Sequence, residues 1–302
     1  MAREYARVLK ELSCDFAVIG RSKETANRLA AELNIKVISG GIQKAVVCEP
    51  FKGSTVIVCT PVETLFNVSM LLMDQGVDRI LIEKPGALNI SEVNALREKA
   101  AVSNTLVKIG YNRRFYQSTL ELVHRLANET LIAVNFEITE WSHLIEKESR
   151  SSEVKESWVL ANTSHVIDLV LHVAGDISEL NTFTSGSLSW HKQSARFVGA
   201  GVTKNDALIS YFGYWDGPGR WSAEFVTTAN RYILRPMEIL QVQKKGSVEI
   251  NPVENIDYDF DEKFKPGLFL QTKAFLNGDY TNFCSLEEQI SSFEIYNRIA
   301  NY

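Results

Sequence analysis

Ile80-Leu81-Ile82-Glu83-Lys84-Pro85-Gly86 carries a short aliphatic run into a Glu-Lys-Pro tripeptide and a glycine. Consecutive aliphatic residues closed by a turn signal read as a strand buried on both faces and its end. Open parallel sheets bind ligands outside the carboxyl ends of their strands. Lys84 therefore stands where a sheltered amine can meet a ligand. A proline after the lysine also admits a cis peptide, tolerated almost only before proline. The competing reading is a strand that ends in solvent, with Lys84 an ordinary surface charge.

Outward from this stretch, strand patterns recur at 16–20, 36–39, 55–60 and 105–110. Helical spacing of apolar residues fills 3–12, 23–33, 63–75 and 91–102. Buried strands alternating with amphipathic helices predict an α/β, Rossmann-type parallel sheet over residues 1–112, a nucleotide-binding half. Beyond Asn112 the pattern changes to a helix at about 115–127, a strand at 131–141, a charged loop at 146–156 and a helix at 163–174 closed by Gly175. Consecutive Thr-, Phe-, Tyr-, Trp- and Val-rich strands with short turns then occupy 180–250, followed by helices at 267–277 and 285–299. This predicts an α+β second domain, 113–302, with an open, mostly antiparallel sheet and helices on one face.

A chain of 302 residues with 45% hydrophobic content can bury two cores. The net charge of −5, with no long basic run, argues against nucleic acid as a partner. No segment reaches the roughly 18 apolar residues that span a bilayer, and the charged N-terminus lacks a signal-peptide centre. Cys14, Cys48, Cys59 and Cys284 form no Cys-x-x-Cys pair, which points to free thiols, a reducing cytoplasm and no structural zinc.

The ordered motifs Thr60-Pro61, Glu83-Lys84-Pro85, Gly110-Tyr111-Asn112-Arg113-Arg114-Phe115, Ser164-His165-Val166-Ile167-Asp168-Leu169 and Lys265-Pro266-Gly267 resemble the Gfo/Idh/MocA oxidoreductases over nearly the whole chain. That is the family of glucose-fructose oxidoreductase and inositol dehydrogenase. The resemblance implies hydride transfer between NAD(P) and a hydroxyl-bearing carbon of a sugar, polyol or nucleotide-sugar. It implies Lys84 at the reacting oxygen near the nicotinamide and His165 as general acid or base, which together meet the needs of a carbon that loses a hydride. Asn112, Arg113 and Asp168 are then the substrate-side residues, with Asp168 orienting His165 or a neighbouring backbone. Thr60, Pro61 and Glu83 join Lys84 on the cofactor side. For Arg113 and Arg114 the alternative to an anionic ligand group is a salt bridge or a domain contact.

His165, Asp168 and His172 share one helix stripe, and Val166, Leu169, Val170 and Val173 the apolar one. Three ligands along two helical turns seldom converge on one ion, so no metal is expected there. At the end of the 16–20 strand, Arg21-Ser22 favours NADP over NAD, because a nearby cation accommodates a 2′-phosphate. Ser22 equally suits the N-cap of the next helix.

Two departures from the family pattern stand out. The acidic residue usual four positions before the histidine is Ala161, leaving Asn162, Thr163 or Ser164 to take over its role. No strand and glycine-rich turn precede Phe16, which predicts two half-sheets with unpaired edges and leaves Gly40-Gly41 as a turn. The expectation is a truncated start, or a descendant that has given up dinucleotide binding to act as a non-catalytic sugar-binding or oligomeric protein. Tyr211, Phe212, Tyr214, Trp215 and Trp221 read as core or subunit interface, so a homodimer or homotetramer through the antiparallel sheet is expected.

Overall fold

The computed structural model describes residues 1–302 and resolves into two compact units. The first begins with helix α1 (Ala2–Glu11), strand β1 (Ala17–Gly20), α2 (Lys23–Leu33), β2 (Lys36–Ser39) and α3 (Gly41–Cys48). It continues with β3 (Thr55–Val58), α4 (Val62–Asp74), β4 (Arg79–Glu83), α5 (Ile90–Ser103) and β5 (Leu106–Gly110). Helix α3 was not expected; Gly40 and Gly41, both at positive φ, open it rather than making a simple turn.

Local chemistry explains the helix ends. Ser22 accepts a hydrogen bond from the Thr25 backbone at 3.3 Å, and Asn89 accepts from Glu92 at 2.9 Å, each satisfying an otherwise unpaired N–H. Asn34 and Asn104 close α2 and α5 in the left-handed conformation that asparagine tolerates.

The parallel strands fall into two sheets, β1-β2 and β3-β4-β5, as the missing strand pattern before Phe16 leads one to expect. Strand β4 is central in its sheet, with Ile80, Leu81 and Ile82 fully enclosed, which accounts for the unbroken aliphatic run. Strand β1 pairs with β2 alone and is only partly covered.

After a 3-10 turn at Asn112–Phe115, the second unit adds α6 (Gln117–Leu126), β6 (Leu131–Glu137), α7 (Ser142–Ile145) and α8 (Ser152–Glu156). A π-helical turn, Val159–Thr163, leads directly into α9 (Ser164–Ala174). There follow β7 (Ile177–Ser185), β8 (Arg196–Thr203), β9 (Leu208–Tyr214), β10 (Ser222–Thr227), β11 (Asn230–Leu234), β12 (Leu240–Lys244) and β13 (Asn251–Pro252). These make one eight-stranded sheet in the order β13-β12-β11-β10-β6-β9-β8-β7, in which β6 and β9 form the single parallel pair.

Helix α9 packs on β6 and β10. Strand β9 alternates strictly: Ile209, Tyr211 and Gly213 are buried, whereas Leu208, Phe212 and Tyr214 are exposed. Register aligns Phe183, Val198 and Phe212 in one row across β7, β8 and β9, and all three are exposed. Beside Phe197 a cluster forms in which Trp215 stacks on Trp190 at 5.5 Å and packs against His191 at 4.9 Å.

The chain closes with α10 (Asp259–Lys263), α11 (Leu268–Asn277) and α12 (Leu286–Ala300). Here the division into 1–112 and 113–302 needs correction: Phe260–Ile290 belong to the first unit. Helix α11 packs on α1, Ile109 bridges to Cys284, and Gln289 Nε2 donates to the Pro85 carbonyl at 2.9 Å. No helix is long and apolar enough to cross a membrane.

Candidate active site

In the first unit, Lys84 follows β4 directly and is half-buried, with its peptide to Pro85 in the cis form. Gly86, at φ +84°, lies so close to the Ile109 side chain that a Cβ there would approach Cδ1 to 2.7 Å. The positive φ favours glycine at that turn, and a side chain there would also push aside the tip of Ile109.

Glu83 belongs to the interior. Its Oε1 accepts from the Tyr5 hydroxyl at 2.6 Å, and the Gln271 side-chain oxygen lies 3.2 Å from the same hydroxyl. Burial raises the Glu83 pKa, with the Tyr5 bond and the charges of Lys265 and Lys84 pulling it back. Burial also pushes the Cys59 thiol up to about 11, which fits a packed, unreactive cysteine. Glu83, expected on the cofactor side, thus ties α1 to β4.

Asn112 is likewise structural. It is 3% exposed, and its Nδ2 donates to the Pro266 carbonyl at 2.8 Å, clamping the end of β5 to the returning segment. Arg21, Thr60 and Pro61 remain exposed, Arg21 just past β1 and Pro61 heading α4. Ser22 is the α2 cap.

In the second unit, His165 is the second residue of α9, buried immediately after the π-helical turn, a distortion frequent at functional sites. Its ring lies 6.2 Å from that of Trp221. The guanidinium groups of Arg113 and Arg220 lie over the Trp221 ring at 4.7 Å and 4.4 Å.

Asp168, read from the sequence as a substrate contact or as orienting His165, is instead fully enclosed and bidentate to Arg114. The bonds are 2.9 Å from Nε and 2.7 Å from Nη2. The pair fastens α9 to the segment after β5. His172, one turn on, is pushed down to about 3, chiefly by burial and further by Arg114, and stays neutral at physiological pH.

Beside Ala161, the π-helical turn receives a carboxylate from another element. Glu140, just beyond β6, accepts from Thr163 Oγ1 at 2.7 Å and Asn162 Nδ2 at 2.9 Å, and pairs with Arg220 at 3.1 Å. Burial raises its pKa while these partners draw it down. Asn162 and Thr163 therefore hold a carboxylate rather than replace one. Glu140 and Arg220 were missed from sequence because their partners are remote in the chain; the only signal was a Glu closing a long apolar strand pattern, as Glu83 does.

Residues 3–111 match the family model GFO_IDH_MocA, described as an oxidoreductase family with an NAD-binding Rossmann fold. No curated protein sequence matches the chain. Among solved structures, UDP-N-acetylglucosamine 3-dehydrogenase GnnA from Acidithiobacillus ferrooxidans is similar with a TM-score of 0.75 at 17% identity, over 99% of this chain and 93% of that one. Levoglucosan dehydrogenase in complex with NADH gives 0.78 at 14% identity, over 99% and 92%. An oxidoreductase from Agrobacterium radiobacter in complex with NAD+, L-tartaric acid and magnesium gives 0.79 at 14% identity, over 99% and 93%. At these identities the structures establish a shared fold. The sequence match thus places residues 3–111 with an NAD-binding Rossmann family of oxidoreductases, and the chain as a whole shares the fold of these dehydrogenase structures.

Proposed function

We propose that this chain is an NAD(P)-dependent oxidoreductase that moves a hydride to or from a hydroxyl-bearing carbon of a sugar, polyol or nucleotide-sugar. The observation that carries this reading is Lys84, half-buried at the carboxyl end of the central strand β4, inside the segment that matches the NAD-binding family. A bound nicotinamide would supply the hydride acceptor or donor. In the oxidative direction, His165 takes the hydroxyl proton as the carbon–hydrogen pair leaves, and the oxygen becomes a carbonyl. In this reading the part given to the Lys84 ammonium is to stabilise the negative charge that develops on that oxygen.

The donor set suits a dinucleotide in part. Arg21 and Thr60 stand exposed just past the ends of β1 and β3. Arg21 favours NADP through the 2′-phosphate. Titrating the purified chain with NADPH and NADH, followed by nicotinamide fluorescence, is expected to give micromolar binding with NADPH the tighter. No binding of either would leave the non-catalytic reading in its place.

The exposed row Phe183, Val198 and Phe212 suits contact between copies of the chain, since a contiguous apolar face in water is costly. A homodimer or homotetramer through this sheet is the proposed assembly. Light scattering on the purified chain checks it: Phe212→Asp is expected to halve the mass of the species or more, and a wild-type monomer at micromolar concentration would overturn it.

A further inference from the structure

Around His165 the charges pair off with one remainder. Arg114 is held by Asp168, Arg220 by Glu140 at 3.1 Å and Arg235 by Glu137 at 3.2 Å. Arg113 has no carboxylate. Its contacts are aromatic: the guanidinium lies over Trp221 at 4.7 Å and near Tyr116 at 5.8 Å. Its Nε–H is buried and donates to nothing, and the same holds for the indole Nε1–H of Trp221.

Two orphan donors in one stacked pair are unusual, because buried N–H groups in folded proteins almost always find an acceptor. An arginine held over an indole is also restricted in direction, and its fork suits a planar or tetrahedral oxyanion. The Trp221 ring connects this pair to His165 at 6.2 Å. Arg220 stacks on the indole as well, but Glu140 already balances its charge.

We infer that the substrate of this site carries an anionic group, a carboxylate or a phosphate, which Arg113 holds beside Trp221. The inference rests on the hydride-transfer reading only in treating the surroundings of His165 as the substrate site. Arg113 is then the specificity residue: it selects the charged member among sugars that offer the same hydroxyl to His165. A neutral sugar leaves the cation unbalanced and its Nε–H unsatisfied.

Calorimetric titration of the full chain with D-glucuronate, glucose 6-phosphate and D-glucose tests this, because the three share a ring and differ at carbon 6. At least one anionic sugar should bind about tenfold or more tightly than glucose. Preference for glucuronate identifies a carboxylate, and preference for glucose 6-phosphate a phosphate. Arg113→Gln should abolish the discrimination, Arg113→Lys retain part of it, and Trp221→Phe, which keeps the ring and removes the donor, reduce it by a few fold. Equal behaviour of all three sugars, including no binding at millimolar concentration, overturns the inference, as does discrimination that survives Arg113→Gln. The same samples are titrated with NADPH. Dinucleotide binding without sugar discrimination sinks the anionic substrate and leaves the oxidoreductase standing; discrimination without dinucleotide binding does the reverse.

Discussion

Replacing Lys84 by alanine is expected to lower kcat/KM by about 10³-fold or more on whichever sugar or polyol the wild-type chain turns over. Removing a single preorganised donor at a developing oxyanion costs about 10²–10³ in rate, and a buried cation gives more than a neutral donor. The fold should survive, although the change removes a cation that favours the ionised form of the buried Glu83. Lys84 lies after β4 rather than in it, and the Glu83–Tyr5 bond and Pro85–Gln289 contact that fasten this corner do not use its side chain. The informative result is therefore a split: NADPH affinity within a few fold of wild type, a cooperative melting transition and lost turnover. Turnover within tenfold of wild type would refute the role given to Lys84 and return it to an ordinary strand-end charge.

Asp168→Ala should destabilise the second unit by about 3–5 kcal/mol, because it strands the Arg114 guanidinium in the interior. Both side chains are almost wholly enclosed, at 3% and 0% exposure, so water cannot take over from the lost carboxylate. Chemical denaturation of the single variant and of Arg114→Met/Asp168→Leu together checks the assignment. The double variant should be the more stable of the two, since it removes both charges instead of one. Destabilisation below about 1 kcal/mol in the single variant would mean that the pair is reached by solvent and does not fasten α9.

Strand β4 was readable from sequence because a strand buried on both faces must be apolar at every position, and Ile80–Ile82 are. The second unit was readable from its strand-rich run with turn signals. Helix α3 was not, because two glycines suggest a turn and the helix is only eight residues long. The return of Phe260–Ile290 to the first unit was also hidden. Helical periodicity shows that α11 has an apolar face, not which sheet it covers.

Lys84 and His165, which carry the proposed chemistry, were named from motif order, whereas the surroundings of each were less legible. Asp168 and Asn112 look like ligand-facing residues in one dimension because short polar side chains serve equally in networks and in binding. What assigns them is the partner each meets, Arg114 and Pro266, and those pairings span 54 and 154 residues. Glu140 shows the converse. Its bond to Asn162 spans 22 residues, so nothing next to Ala161 in the chain announces the carboxylate that reaches this turn.

The returning segment also fixes an order of events during synthesis. Gln289 closes on the Pro85 carbonyl across 204 residues, and the end of β5 waits for Pro266 and Cys284. At ribosomal rates of about 5–20 residues per second, the corner carrying Lys84 stays open for roughly 10–40 s after its own strand has emerged. The whole of Arg113–Asp259 leaves the ribosome within that interval, but the second unit also draws on Ser291–Tyr302, which emerge last. Each unit is thus completed only by the C-terminal end of the chain, and a ribosome that stalls before residue 260 leaves both unsealed.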